Sequence, residues 1–302
     1  MLTIGLGPAF VGNSGGGGKG NSVFDLEFVT TTAAAKVADK SIKEFPEVDT
    51  SNITDMTSMF ESCESLKTIP LINTQQVTKF DYMFSGCESL ESIPYIDTSK
   101  AVSTSYMFRY CEQLQTIPKL NLANVTNMSY MFYQCYALKS IPDLDLSKAT
   151  NLYYSFYRCR NLKSIPELDL SKATSMNDTF NGCSSLQVVP ELDTRLVKGM
   201  NGTFRECVAL EIVHGLDAYS ATDTSHLFRS CSALKVCFVK NLKTTISFDY
   251  SPLLSKESVL YLFDNAQKVS GKTITLHADV FAQLTEDEIA IATEKGFSVV
   301  SA

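Results

Sequence analysis

The chain has 302 residues, 44% of them hydrophobic and 20% charged, with a formal net charge of -7. That apolar content supplies a continuous core, and the acidic balance excludes non-specific nucleic-acid binding, which needs a basic face to displace phosphate counterions. No run reaches the roughly 18 apolar residues of a membrane span.

Residues 1–23 include Gly15 to Gly18 and carry neither a helical nor a strand period. A flexible or anchoring N-terminal segment is expected there, docking the chain on a larger assembly. Met1 to Gly12 is mildly apolar, without a basic leader or a lipobox-like cysteine, and does not read as a secretion signal. Phe24, Leu26 and Phe28 alternate with polar residues and predict a short strand, and Ala33 to Asp39 predicts a brief helix. Residues 24–48 are thus expected to form an N-terminal cap.

From there a fixed frame takes over. Cys63, Cys87, Cys111, Cys135, Cys159, Cys183, Cys207 and Cys231 are spaced by 24 without insertion or deletion, which marks a structural repeat across residues 49–240. Three residues before each cysteine stands Phe60, Phe84, Phe108, Phe132, Phe156, Phe180, Phe204 or Phe228. Methionines such as Met128 and Met131, and small apolar residues ten before the cysteine, complete offsets that predict a helix of about three turns in each repeat. Thr54, Thr78, Thr126, Thr150 and Thr174 lie near its start as candidate caps. On packed helices about 8 to 10 Å apart the cysteines stand too far from one another to bridge, so a column of buried free thiols is expected.

Three after the cysteine comes a leucine, then an isoleucine or valine column that ends at Cys237, six prolines from Pro70 to Pro190, and a further aliphatic column. Leu-x-x-Ile-Pro-x-Leu runs of this kind predict one short parallel strand per repeat. Asp49, Asn73, Asp97, Asn121, Asp145, Asp169, Asp193 and Asp217 follow the strands. A calcium-binding carboxylate ladder is one reading. Two neutral amides and the lack of a glycine-rich nonapeptide favour the other, side chains that accept N–H groups of the turn leaving the strand.

The run Leu-x-x-Ile-Pro-x-Leu-Asp-Leu-Ser-x-x-Thr-x-Met-x-x-Met-Phe-x-x-Cys, seen from Leu138 to Cys159 with Tyr and Ser replacing the second methionine pair, resembles the BspA-like branch of leucine-rich repeats. That branch occurs in bacterial surface proteins, mycoplasma-type lipoproteins and some phage appendages, and the resemblance covers residues 41 to about 240. It implies an α/β fold, a right-handed leucine-rich-repeat solenoid of eight 24-residue repeats, each with one short strand and one short helix. It also implies adhesion to host or surface molecules, and no catalytic activity.

After Cys237 the period fails, and residues 241–302 are expected to form a non-repeat α/β C-terminal cap. Lys256 to Asn265 has helical spacing with Ser255 as N-cap, and Thr273 to Leu276 reads as a strand. Thr285 and Glu288 form a capping-box signature before a helix that stops at Gly296, and Phe297 to Val300 reads as a closing strand.

His214, His226 and His277 sit in no nucleophile motif, His226 on a predicted helix, and no P-loop, dinucleotide fingerprint or zinc motif occurs. No enzyme, cofactor or metal is expected. Tyrosine is the more informative residue. Tyr82, Tyr106, Tyr130 and Tyr154, five before the cysteine, lie opposite the apolar stripe on a helical wheel, and Tyr110, Tyr133, Tyr153 and Tyr157 also lie off it. Neighbouring helices stacking tyrosines for packing is one reading; a tyrosine-rich patch that binds a protein or glycan on a host or cell surface is the other. The strand face, with Lys67, Glu91, Gln115, Lys139, Lys163, Gln187 and Glu211, is a second candidate surface without an evident anchor. The expected function is non-enzymatic recognition or adhesion on a virion fibre, spike or head appendage. The alternatives are a bacterial cell-surface adhesin whose leader was removed and, more remotely, a polysaccharide hydrolase. Homo-oligomerisation stays open.

Overall fold

The computed structural model describes residues 26–27, 36–37 and 39–302. Strand β1, Leu26–Glu27, pairs antiparallel with β2, Lys36–Val37, placing Leu26 opposite Val37. The strand expected around Leu26 is present, whereas β2 stands at the centre of the helix expected over Ala33 to Asp39. Val37 is buried, and its N–H donates to the Met59 carbonyl at 2.9 Å, which joins the pair to the first coil. Phe24, Phe28 and the expected flexible segment 1–23 lie outside the described residues.

The principal correction concerns the repeat itself: among the described residues, no α-helix precedes Lys256. The stretch expected to be helical is a succession of tight turns. In the coil of Cys135, Met131, Tyr133, Cys135 and Leu138 donate their N–H groups three residues back, to Met128, Tyr130, Phe132 and Cys135, at 3.0 to 3.2 Å. The intervening donors leave the coil: Met128, Tyr130, Phe132 and Gln134 bond the carbonyls of Asn151, Tyr153, Ser155 and Tyr157 at 2.7 to 3.0 Å. A helix keeps every N–H for its own carbonyl four residues back; here half of them tie one coil to the next. Two left-handed residues per coil make the alternation possible. Ser58, Tyr82, Tyr106, Tyr130, Tyr154, Asp178, Gly202 and His226 have positive φ, and so do Ser62, Gly86, Tyr110, Gln134, Arg158, Gly182, Glu206 and Ser230.

Direct hydrogen bonding sets neighbouring coils at the strand-like spacing of about 4.8 Å rather than the 8 to 10 Å of packed helices. Identical side chains at identical positions therefore overlay. The phenylalanines from Phe60 to Phe228 form one continuous stack, neighbouring centroids 5.2 to 5.8 Å apart. The cysteines are free and buried as expected, although not for want of proximity between helices. Each thiol from Cys87 to Cys231 donates to the carbonyl of the preceding coil's phenylalanine, as Cys135 does to Phe108 at 3.1 Å. The threonines have no helix to cap. Thr78, Thr126, Thr150 and Thr174 direct their hydroxyls to the carbonyls of Thr54, Val102, Thr126 and Thr150 at 3.0 to 3.4 Å.

The opposite side of each coil is less regular than expected. Strands are confined to β3 (Val188–Glu191), β4 (Ile212–Asp217) and β5 (Val236–Lys240), a parallel sheet in that order. Earlier coils keep one bond per step at this edge, as Lys139 N–H to the Gln115 carbonyl at 3.1 Å. Proline accounts for the difference. It lacks the N–H that a ladder needs: the two longer strands of this sheet occur where His214 and Phe238 replace it, and β3, which keeps Pro190, is the shortest. All eight Asp or Asn side chains after the strand column accept the N–H two residues on, at 2.9 to 3.2 Å, which is the turn-holding role.

Past Cys237 the frame shortens before it stops. Phe248, Ser251 and Leu254 repeat the spacing of Phe228, Cys231 and Leu234 twenty residues on. Phe248 stacks on Phe228 at 5.4 Å, and the Ser251 hydroxyl donates to the Cys231 carbonyl at 3.2 Å. Strand β6 (Ile246–Phe248) then pairs parallel with β7 (Lys272–Leu276), and β7 with β8 (Phe297–Ser301). Three helices accompany them: α1 (Lys256–Asn265), α2 (Ala278–Phe281) and α3 (Glu286–Thr293). Ser255 caps α1, and the Thr285–Glu288 capping box opens α3, both as the sequence predicts.

Candidate functional site

The turn ladder determines where the tyrosines go. Tyr82, Tyr106, Tyr130 and Tyr154 occupy the first left-handed position of their coils, with φ between 57° and 60°. A bulky side chain there costs about 1–2 kcal/mol, and Gly202 or Asp178 fills the same position more easily elsewhere. What the tyrosines gain is one another. Their rings stack at 4.5, 4.6 and 5.2 Å with planes within 12° of parallel, and each such pair contributes about 0.5–1.5 kcal/mol.

A second row runs beside the first. Tyr133 and Tyr157 stack at 4.8 Å, and Tyr110 meets Tyr133 edge-on at 5.5 Å. Tyr130 to Tyr133 at 5.4 Å and Tyr154 to Tyr157 at 5.0 Å tie the rows together, and Tyr153 packs edge-on against both Tyr130 and Tyr154. All eight predicted tyrosines are thus joined in one half-buried network on the side of the coils away from the phenylalanine stack. The helical wheel that placed them there has no physical basis in a helix-free coil. In the coil of Cys135, between Met128 and the cysteine, the half-buried residues are Tyr130, Tyr133 and Gln134, grouped around the left-handed positions 130 and 134. Burial, helped by the neighbouring Tyr153 and Tyr106 hydroxyls, pushes the Tyr130 phenol up to about 12. Burial, then the Asp178 carboxylate, raises Tyr154 as well. Both phenols are neutral hydrogen-bond donors at physiological pH.

Arginine is the part that sequence reasoning missed. The Arg109 guanidinium lies 4.4 Å from the Tyr110 ring centre and donates to its hydroxyl at 3.1 Å. Arg158 lies over Tyr157 at 5.2 Å, and Arg160 over Tyr136 at 4.5 Å. Tyr136 extends the network by hydrogen-bonding Gln134. No sequence pattern announces these pairs, because the three arginines fall in three different columns of the repeat.

The strand-face column is exposed from Lys67 to Gln187, with Glu211 half-buried. Six of its members pair along the column: Lys67 with Glu91 at 3.7 Å, Lys139 with Gln115 at 2.9 Å, and Lys235 with Glu211 at 2.8 Å. A cleft of about 720 Å³ nearby is lined by Glu167, Asp169, Glu191, Asp193 and Asp217, three of which already hold turn N–H groups. Of the histidines, His214 lies in β4, His226 is a left-handed turn residue rather than a helical one, and His277 caps α2. Among the described residues, no group of three or more His, Cys, Asp or Glu is placed to hold a metal ion.

Comparison with known proteins adds the family. A solved structure described as the crystal structure of T. pallidum Leucine Rich Repeat protein (TpLRR) is 19% identical over 84% of this chain and 99% of its own, with a TM-score of 0.31. No curated protein matches. The model of the family described as "Mycoplasma protein of unknown function, DUF285" matches residues 28–144 and 150–272, most of the chain. The protein belongs to that family and is a BspA-like leucine-rich-repeat protein.

Proposed function

We propose that the protein is a non-enzymatic recognition module whose tyrosine patch contacts a protein or glycan on another surface. One observation carries the reading: eight tyrosines from consecutive coils form a single half-buried network outside the core. Tyrosine supplies large amphipathic contact area with few rotors to freeze, and it is enriched where proteins meet. The strand face lacks such an aromatic anchor, and most of its long side chains pair along their own column.

Replacing Tyr130, Tyr133 and Tyr154 together by Ser, in the full chain, tests the reading on immobilised panels of cell-surface proteins and glycans. Binding is expected to disappear while circular dichroism is preserved; unchanged binding returns the tyrosines to a packing role. The proposed place of display is a virion appendage or a bacterial cell surface. Recovery of the chain in purified particles supports the first, and recovery only in an envelope fraction supports the second.

A further inference from the structure

We infer that the patch selects a carboxylate-rich protein segment over a glycan, an inference that rests on the patch being the contact surface. Two observations point this way. The first is which parts of the rings remain free. In the row from Tyr82 to Tyr154 each ring lies parallel to the next at 4.5 to 5.2 Å, so the π faces are spent on one another. Tyr110 carries Arg109 over its ring at 4.4 Å, and Tyr157 carries Arg158 at 5.2 Å. A pyranose docks by laying its C–H face on an open aromatic face, and inside the row such faces are covered. Ring edges and phenol hydroxyls are what this surface offers.

The second observation is charge. Arg109, Arg158 and Arg160 each stack on a tyrosine, and none forms an ion pair among the described residues. By contrast Arg205, two coils beyond Arg158, has Glu206 at 3.4 Å. The chain as a whole has net charge -7, and the Asp178, Glu206 and Glu112 carboxylates reach the same tyrosines, yet among the described residues none of them closes an ion pair with these three guanidinium groups. Stacking occupies the face of a guanidinium; Arg109 spends an edge N–H on the Tyr110 hydroxyl and buries its Nε, while Arg158 and Arg160 keep their edge N–H groups in the fork geometry that receives a carboxylate bidentately. Carboxylates spaced along an extended acidic segment, received by arginine forks and phenol O–H groups, complement this surface.

The test is fluorescence anisotropy on the full chain with three probes: a labelled peptide alternating Glu with Leu, the same peptide with Gln for Glu, and a labelled heparin fragment. The Glu peptide is expected to bind best, to weaken with rising salt, and to lose about tenfold or more in affinity in the triple variant Arg109→Gln, Arg158→Gln, Arg160→Gln. The Lys triple variant, which keeps the charge without the fork, is expected to retain part of that affinity, and thermal melts show that both variants fold. Equal binding of the two peptides, preference for heparin, or no binding of the Glu peptide overturns the inference. The tyrosine variant separates this from the parent reading. If the Tyr-to-Ser change abolishes binding of any probe while the arginine variant changes nothing, the patch is a contact surface without acidic selectivity. If neither variant matters, both readings fall.

Discussion

Side chains at the two left-handed positions of each coil answer to different demands. Where a ring stack is built, tyrosine is held at positive φ against its backbone preference; elsewhere the first position takes Ser, Asp, Gly or His, and the second also takes Gln134, Arg158 and Glu206. Ser230 has φ 65° and no stacking partner, so Ser230→Gly is expected to raise stability by about 0.5–1 kcal/mol and Ser230→Val to lower it by about 1–2 kcal/mol in urea titrations. The cysteines make a second statement at this scale. Burial raises the Cys63 thiol from its ordinary 9.0 to about 11 and Cys231 to about 12. It moves the thiols between them further still. The folded state therefore keeps protons that unfolded thiols release, and the stability this represents is complete below about pH 9 and lost as pH rises through the folded values. Each thiol adds a slope of about 1.4 kcal/mol per pH unit. Urea midpoints are expected to be level from pH 7 to about 8.5 and to drop steeply by pH 10; a flat profile to pH 10 contradicts a buried thiol column.

At the scale of the element, the apolar columns were legible in the sequence and the backbone that carries them was not. Offsets of three and four residues define one face of a helix, but consecutive three-residue turns satisfy the same offsets. Nothing in Met128, Met131, Phe132 and Cys135 tells the two apart. The distinguishing signal lay between them: Gly86, Gly182 and Gly202 recur at two fixed positions, and Asp55, Asn127, Asn151 and Asp223 hold the N–H two residues on, at 2.8 to 3.1 Å. Glycine at repeating places inside a supposed helix marks positive φ. The tyrosines lie outside the core without the helical wheel that predicts it, and their arginines, in three different columns of the repeat, carry no periodic signal. The turn after the strand column was plain, because only Asp and Asn stand there. Asp145→Asn is expected to stay within about 0.5 kcal/mol of the parent at pH 7, since Asn73 and Asn121 serve the same turn, whereas Asp145→Ala is expected to cost about 1 kcal/mol in the same assay. Hydrogen bonds from Ser147 hold the Asp145 carboxyl below its usual value. That contribution is present above about pH 4 and lost as pH falls through the folded value, so acid titration is expected to close the gap between Asp145 and the Asn variant.

Over the whole molecule, one set of coil-to-coil bonds serves two surfaces. It overlays phenylalanines inward, which holds the fold, and tyrosines outward, which creates the candidate site. The inward stack runs on through Phe248, so Phe248→Ala is expected to cost about 3–5 kcal/mol and to bring hydrogen exchange in residues 246–302 ahead of the remaining coils; uniform exchange along the chain contradicts that coupling. Because neighbours in a stacked repeat share their stability, the outward tyrosines can be exchanged for smaller residues without loss of the coil, provided that Phe132 and Phe156 remain. The most direct measurement compares Tyr130→Ser, Tyr133→Ser, Tyr154→Ser in one chain with a strand-face control, Lys139→Glu and Lys163→Glu, for binding to the same surface-protein and glycan panel. The strand-face control is expected to keep the parent's melting transition and its binding, while the tyrosine variant, which loses the stacked pairs of Tyr130 and Tyr133, is expected to melt lower but still in one cooperative transition and to lose binding. Loss of binding in the strand-face control with the tyrosine variant unaffected contradicts a tyrosine contact surface.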